Sequence, residues 1–358
     1  MLYNLSVKSS NFEYVISNDL NNLNSINGRK IVVYDKKVEK QVRGIFTKEI
    51  DFIGLEISES TKTIQSVTEI LLQFAKRNVA KDDFIIAVGG GALQDLVTLS
   101  ASIYMRGIRW AYVPTTLMSM LDSCIGGKSS INLGEYKNLV GNFYPPIFVY
   151  IDSVFLQTLN KVDVACGLAE GVKICFAASN QDALDFELLV HTWREFNKHE
   201  TIEEAIFLSL EKKKWFVEID EFDKKERKLL NFGHSFGHAL EAATDFKIPH
   251  GIAVFIGMAA AVNFSHKSES SRNLKQWVSE ELLLIREDIP TVEISHSKFI
   301  EALRRDKKNS SSRLCLILPN ESGNLESKFM ELSQLILEDC FKIIVETIDE
   351  LGLNHEIL

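Results

Sequence analysis

The sequence predicts two domains, an α/β domain over residues 1–150 and a mainly α-helical domain over residues 151–358. Two observations carry this. Before Tyr150, short apolar runs of strand type alternate with stretches of helical period, the pattern of parallel strands joined by helical crossovers. After Tyr150, helical stretches dominate and strand-like runs become scarce, LCLILP (Leu314–Pro319) excepted.

KIVVYD, from Lys30 to Asp35, reads as a buried strand. From Thr61 to Asn78, apolar residues recur at helical spacing: Ile64, Val67, Ile70, Leu71 and Phe74. FIIAVGGG, from Phe84 to Gly91, is a strand running into a glycine turn; ALQDLVTLSASIYM follows as a helix and IRWAYVP as the next strand. In the second part, helices are expected over Val164–Ala178, Thr201–Val217, Arg227–Ala243 and Ile252–Ser265. The polar stretches His266–Arg272 and Lys307–Arg313 read as loops.

Bulk properties narrow the function. A chain of 358 residues with 46% hydrophobic residues buries a sizeable core without staples. The net charge of −9 argues against a general nucleic-acid binder, which presents a basic face. Five cysteines, with no CxxC pair, argue against a disulfide scaffold and fit a reducing cytoplasm. The opening MLYNLSVKSSNFEYVI shows no signal-peptide pattern, and no run of 18 apolar residues reads as a membrane span.

Three groups of residues could carry chemistry. Gly89, Gly90 and Gly91 lie between a strand and a helix, where a backbone without Cβ atoms can approach a phosphate at a helix start. The same triplet also suits a tight turn with no ligand. Asp95, one helical turn on, could accept a ribose hydroxyl or simply favour the helix start. His234 and His238 form an i, i+4 pair on one helical face, and His250 follows in KIPHGIAV. With Glu170 in GLAEGVKI they offer donors for a divalent ion with open positions, although any one of these histidines could be structural. Lys128 and Lys137 sit in glycine-flanked stretches that read as loops, and Glu170 and Lys173 share a helical face. Lys213 and Arg227 complete a set of cations that could hold a phosphate or carboxylate beside a metal.

These pieces together resemble the 3-dehydroquinate synthase family, within the wider sugar phosphate cyclases. The stretches that carry the resemblance are GGGALQD, YMRG, VPTTLMSMLDSCIGGKSSIN, YKNLVGNFYPP, LAEGVK, ERKLLNFGHSFGHALE, PHG and DKKN, in this order from about Asp35 to Pro319. The resemblance implies an N-terminal NAD-binding α/β domain, a C-terminal helical domain that binds metal and substrate, and a homodimer. It implies tightly held NAD and a divalent metal, zinc or alternatively cobalt. Carried over by motif, the metal ligands are Glu170, His234 and His250. NAD contacts come from Asp35, Glu59, Lys62, Gly89, Gly90, Gly91, Asp95, Thr115, Thr116, Phe155 and Thr158. Substrate contacts come from Asp122, Lys128, Lys137, Asn138, Lys173, Lys213, Arg227, Asn231, His238 and one lysine of Asp306-Lys307-Lys308. Arg106 reaches the phosphate, across the dimer interface. His238 thereby moves from candidate ligand to phosphate contact.

The implied reaction cyclises 3-deoxy-D-arabino-heptulosonate 7-phosphate to 3-dehydroquinate. It eliminates phosphate, uses NAD transiently and closes the ring by an aldol step, with no nucleic acid or membrane as partner. Four departures stand out: Gln94 replaces the glycine of GGGxxGD, Ile252 the glutamate of HGEAV, Ser129 the threonine of GGKT, and Lys36 and Lys37 follow Asp35. Rival readings are a sister cyclase acting on sedoheptulose 7-phosphate, glucose 6-phosphate or an amino analogue, a metal-dependent polyol dehydrogenase, and a non-catalytic NAD-binding homologue. The retained Asn231, His238, Lys213, Arg227 and Asp306-Lys307-Lys308 favour a substrate that carries a carboxylate.

Overall fold

The computed structural model describes residues 1–9, 11–46, 50–134, 136–265, 268–305 and 313–358. They form two compact units. The first is Met1–Leu159 with Lys213–Glu221, and the second is Asn160–Lys212 with Phe222–Leu358.

In the first unit the strands are β1 (Asn4–Lys8), β2 (Glu13–Ser17), β3 (Lys30–Asp35), β4 (Asp51–Leu55), β5 (Phe84–Gly89), β6 (Trp110–Pro114), β7 (Ile131–Leu133), β8 (Tyr136–Val140) and β9 (Phe148–Tyr150). Seven of them form one sheet in the order β1-β2-β9-β6-β5-β3-β4. Within this sheet, among the described residues, only the β1/β2 pair is antiparallel; β7 and β8 pair antiparallel beside it. The central strands are apolar without alternation: Ile31–Tyr34 and Phe84–Val88 are buried throughout, as a sheet covered on both faces requires. The helices are α1 (Leu20–Asn24), α2 (Glu39–Ile45), α3 (Ile64–Lys76) and α4 (Gly91–Ile103). From β3 the chain passes through α2 to β4 on one side; from the adjacent β5 it passes through α4 to β6 on the other. Such a reversal opens a crevice at the carboxyl ends of the two strands, where α/β proteins bind ligands. Asp35 ends β3 and Gly89 ends β5, so both stand at that crevice.

The second unit is mainly helical: α5 (Lys161–Ala178), α6 (Asn180–Phe196), α7 (His199–Ile219, whose last turns group with the first unit), α8 (His234–Ala243), α9 (His250–Phe264), α10 (Glu269–Leu284), α11 (His296–Arg304) and α12 (Gln334–Glu350). Two small sheets accompany them: β10 (Val292–Ile294) pairs in parallel with β13 (His355–Ile357), and β11 (Arg313–Pro319) pairs antiparallel with β12 (Leu325–Glu331). Helix α9 is buried from Gly251 to Val262 without a polar face, which makes it the core of this unit.

Three local expectations change. The single helix expected over Arg227–Ala243 is two elements, a 3₁₀ turn at Glu226–Asn231 and α8. Gly233 separates them at φ +76, a conformation that side-chain-bearing residues avoid. From Glu269 onward the expected loop is helix α10, because the Ser268 side chain caps it by accepting from Ser271 N at 3.2 Å. Lys137, expected in a loop, lies in strand β8. The second loop and Asp306-Lys307-Lys308 fall outside the described residues up to position 312; Arg313 begins β11.

Candidate metal centre and nucleotide crevice

The second unit gathers Glu170, His234, His238 and His250 from three helices. Glu170 lies inside α5, His234 and His238 share one face of α8, and His250 opens α9. The ligand nitrogens of the three histidines all lie within 4.8 Å of one another. Glu170 is 2% exposed, and its Oε1 stands 3.3 Å from His250 Nε2 and 3.8 Å from His234 Nε2. That oxygen is buried and accepts no hydrogen bond. A buried carboxylate oxygen left without a donor and faced by two imidazole nitrogens has the chemistry of a cation site, so the donor set fits a divalent metal.

Glycines bring these three helices together. A Cβ on Gly257 would lie 2.1 Å from Gly233 O and 2.8 Å from Gly237 N, so α8 and α9 touch backbone to backbone. A Cβ on Gly251, next to His250, would lie 2.3 Å from Cys166 Cα, which brings α9 equally close to α5. The flanking glycines of the motif therefore set the separations among the donors.

Charge around the cluster is balanced. Burial pushes the Glu170 carboxyl up, but Lys173 and His250 outweigh it and hold the group well below the usual carboxylate range. Lys173, 3% exposed, donates to Glu170 Oε2. Burial lowers His250, yet Glu170 and Glu241 carry it up to about 10. His250 Nδ1 stands 3.1 Å from Glu241 Oε2. Glu241 is the residue sequence reasoning missed: it lies seven positions after His234, two turns along the same face of α8. Of the remaining expected contacts in this unit, Arg227 is buried, Asn231 Nδ2 donates to Lys228 O at 3.1 Å, and His238 is exposed.

In the first unit, the glycine turn supports both of its readings. Cβ atoms on Gly89 and Gly90 would strike Leu93 Cδ2 at 2.5 Å and Thr116 Cγ2 at 2.9 Å, so tight packing alone accounts for these two. Gly91 has room, its nearest atom being Ser123 Oγ at 3.6 Å, and it opens α4 at the crevice. Asp35 caps the next turn by accepting from Lys37 N at 3.0 Å. Thr115 N donates to Gly89 O at 3.0 Å, and the Thr116 hydroxyl bonds Ser119 Oγ at 2.9 Å. Phe155 is buried in a 3₁₀ turn that Thr158 closes by donating to its carbonyl at 2.6 Å.

Lys62, 5% exposed, gathers several of the expected residues. Its Nζ stands 2.8 Å from Asp95 Oδ2, 3.4 Å from Glu59 Oε1, and donates to Asn138 Oδ1 at 2.8 Å. Asp95 also accepts from Ser130 N at 2.9 Å. Burial pushes the Asp95 carboxyl up, against the pull of Lys62. Elsewhere, Lys213 Nζ donates at 2.6 Å to both the carbonyl and Oδ1 of Asp122. Lys128 and Lys137 are exposed. Arg106, also exposed, has φ +62 and follows Met105 at φ +47, a strained pair in the YMRG turn.

The model of the 3-dehydroquinate synthase N-terminal domain matches residues 52–166, and that of the C-terminal domain matches residues 167–309. The 3-dehydroquinate synthase of Saccharolobus solfataricus is 32% identical over 334 residues, covering 90% of this chain and 91% of its own length. The chain belongs to the 3-dehydroquinate synthase family. The family's enzyme from Dictyoglomus turgidum is 37% identical over 78% of each chain. Among solved structures, 2-deoxy-scyllo-inosose synthase, complexed with carbaglucose-6-phosphate, NAD+ and Co2+, superposes with TM-score 0.79 at 22% identity, over 95% of this chain and 100% of its own. The 2-epi-5-epi-valiolone synthase of Streptomyces hygroscopicus subsp. jinggangensis, with NAD+ and Zn2+ bound, gives 0.78 at 24% identity, over 96% and 99%. These two likenesses establish the dehydroquinate synthase-like fold. Among the described residues, no helix is long and apolar enough to cross a membrane.

Proposed function

We propose that this chain catalyses the 3-dehydroquinate synthase reaction, cyclising 3-deoxy-D-arabino-heptulosonate 7-phosphate to 3-dehydroquinate with release of phosphate, as a cytoplasmic homodimer. The observation that carries the reading is the donorless, buried Glu170 Oε1 facing the Nε2 atoms of His234 and His250. Glu170, His234 and His250 hold the divalent metal, zinc or cobalt, and the β3/β5 crevice with Gly91, Asp95 and Lys62 holds NAD. Asp35, Glu59, Gly89, Gly90, Thr115, Thr116, Phe155 and Thr158 complete the nucleotide contacts. When bound, the metal supplies Lewis acidity to adjacent substrate oxygens, and NAD supplies a hydride acceptor that is regenerated within the turnover.

The chain's own residues orient and neutralise. Glu241 holds His250 by its Nδ1 edge and leaves Nε2 turned toward Glu170. Lys173 keeps Glu170 ionised at the cost of no net charge. Each unit carries its own proposed contacts for an anionic substrate: Arg227, Asn231 and His238 in the second, and Lys128, Lys137, Asn138, Lys213 and Arg106 in the first. Asp122 sets the direction of the Lys213 ammonium. Local cations of this kind are what an anionic substrate needs on a chain of net charge −9.

The test is phosphate release by the purified protein supplied with the heptulosonate phosphate, NAD and Zn2+. Phosphate should appear without NADH accumulating at 340 nm, because hydride returns in each cycle. Release from sedoheptulose 7-phosphate but not from the heptulosonate would assign the chain to a sister reaction instead.

A further inference from the structure

Gln94 is 3% exposed, and both ends of its amide are used on one residue. Its Nε2 donates to the Ser123 carbonyl at 2.8 Å, and its Oε1 accepts from the Ser123 hydroxyl at 2.7 Å. This pairing fixes the amide's orientation, since a flipped side chain would set oxygen against oxygen. Ser123 ends a π-helical turn, Ser119–Ser123, in which Cys124 N donates to Ser119 O at 3.1 Å. A turn with i→i+5 bonding is rare and occurs frequently at functional sites. Asp122, the residue before Ser123, binds Lys213 Nζ through two oxygens. On its other side Gln94 sits in the first turn of α4, with its own N–H donating to Gly90 O at 3.0 Å, and it immediately precedes Asp95. One buried side chain thus connects the glycine turn at the nucleotide crevice to the turn that directs the Lys213 ammonium. A smaller or apolar residue at 94 would leave the Ser123 carbonyl and hydroxyl without these partners.

We propose that Gln94 is a positioning residue for the substrate's anionic group: by clamping Ser123 it fixes the Asp122–Lys213 pair relative to the glycine turn. This rests on the proposed role of Lys213 in binding the substrate. Gln94 touches no reacting atom; it acts through residues 122 and 123.

The test uses the full chain with NAD and Zn2+ and three variants: Gln94→Met, which keeps the volume and removes both bonds; Ser123→Ala, which removes one; and Asp122→Asn. Loss of buried hydrogen bonds of this kind corresponds to about a tenfold change in an equilibrium constant. Gln94→Met should raise KM for the heptulosonate phosphate about tenfold while the Kd for NAD shifts less than about twofold. Ser123→Ala should move KM in the same direction by less, and the double variant should match Gln94→Met alone. Independently of turnover, competitive acetylation of Lys213, read by mass spectrometry, should rise several-fold in Gln94→Met and in Asp122→Asn. Unchanged KM and unchanged Lys213 labelling in Gln94→Met, with only a lowered Tm, would overturn the proposal. So would Lys213 labelling that ignores Asp122→Asn. A wild-type protein that releases no phosphate from this substrate would defeat the assigned reaction, and the labelling comparison would still decide the role of Gln94.

Discussion

Imidazoles that serve a metal are oriented by what their second nitrogen touches, and in His250, a proposed ligand, that partner is Glu241, 3.1 Å away. Changing Glu241 to Gln keeps the size and removes the charge. Metal affinity should fall about 10–100-fold, measured by competition with a chelator. Unchanged metal affinity would show instead that Glu241 does not orient His250 for a metal. Much of this centre could be read from residue spacing: His234 and His238 by the i, i+4 rule, and Glu170 and Lys173 by i, i+3. Glu241 obeys the same arithmetic, two turns past His234, but a glutamate on a helix face resembles many solvated ones. Its bond to His250 distinguishes it.

At the level of elements, α5, α8 and α9 meet through positions that have no side chain. Gly257→Ala places a methyl 2.1 Å from Gly233 O, and backbone cannot step aside as a side-chain tip can. The variant should lose about 2–3 kcal/mol of stability and most of its bound metal, checked by thermal unfolding and elemental analysis. The sequence carried these glycines openly, yet a glycine spells a turn, a cap or a close contact with equal ease. For that reason the break before His234 was invisible, and Arg227–Ala243 read as one helix. Helix α6 was also missed; it carries Glu187. Burial first, then Glu280 and Glu281, push the Glu187 carboxyl up to about 7. A carboxyl that binds its proton more tightly when folded makes the fold less stable as pH rises from the unfolded value near 4.5 through about 7. Glu187→Gln should therefore be more stable than the parent at pH 8, by about 1–2 kcal/mol after allowing for partial solvent screening. At pH 4 the two should be alike. Equal denaturant midpoints at both pH values would show that the site carries no such penalty.

For the molecule as a whole, the fold class, a parallel α/β part followed by a mainly helical one, was legible from where strand-helix alternation stops. Sheet order was not, because β9 inserts beside β2 through contacts distant in sequence. The short strands of the second unit escaped too: β12 reads LESKFME, with one buried residue in seven, and carries no apolar alternation to detect. All five cysteines are free and buried, and burial pushes the Cys124, Cys166 and Cys340 thiols up to about 12. The native protein should leave an Ellman-type reagent uncoloured, and the denatured protein should titrate all five thiols without reductant. The backbone contact of Gly233 with Gly257 bears on anyone who would redesign this centre for another ion. Side-chain packing can be adjusted by a methylene at a time, but two main chains in contact leave no smaller residue to choose and no larger one to tolerate. Selection for a new preference at the proposed metal centre must therefore work through the identity of the donors themselves, on a frame whose spacing is fixed.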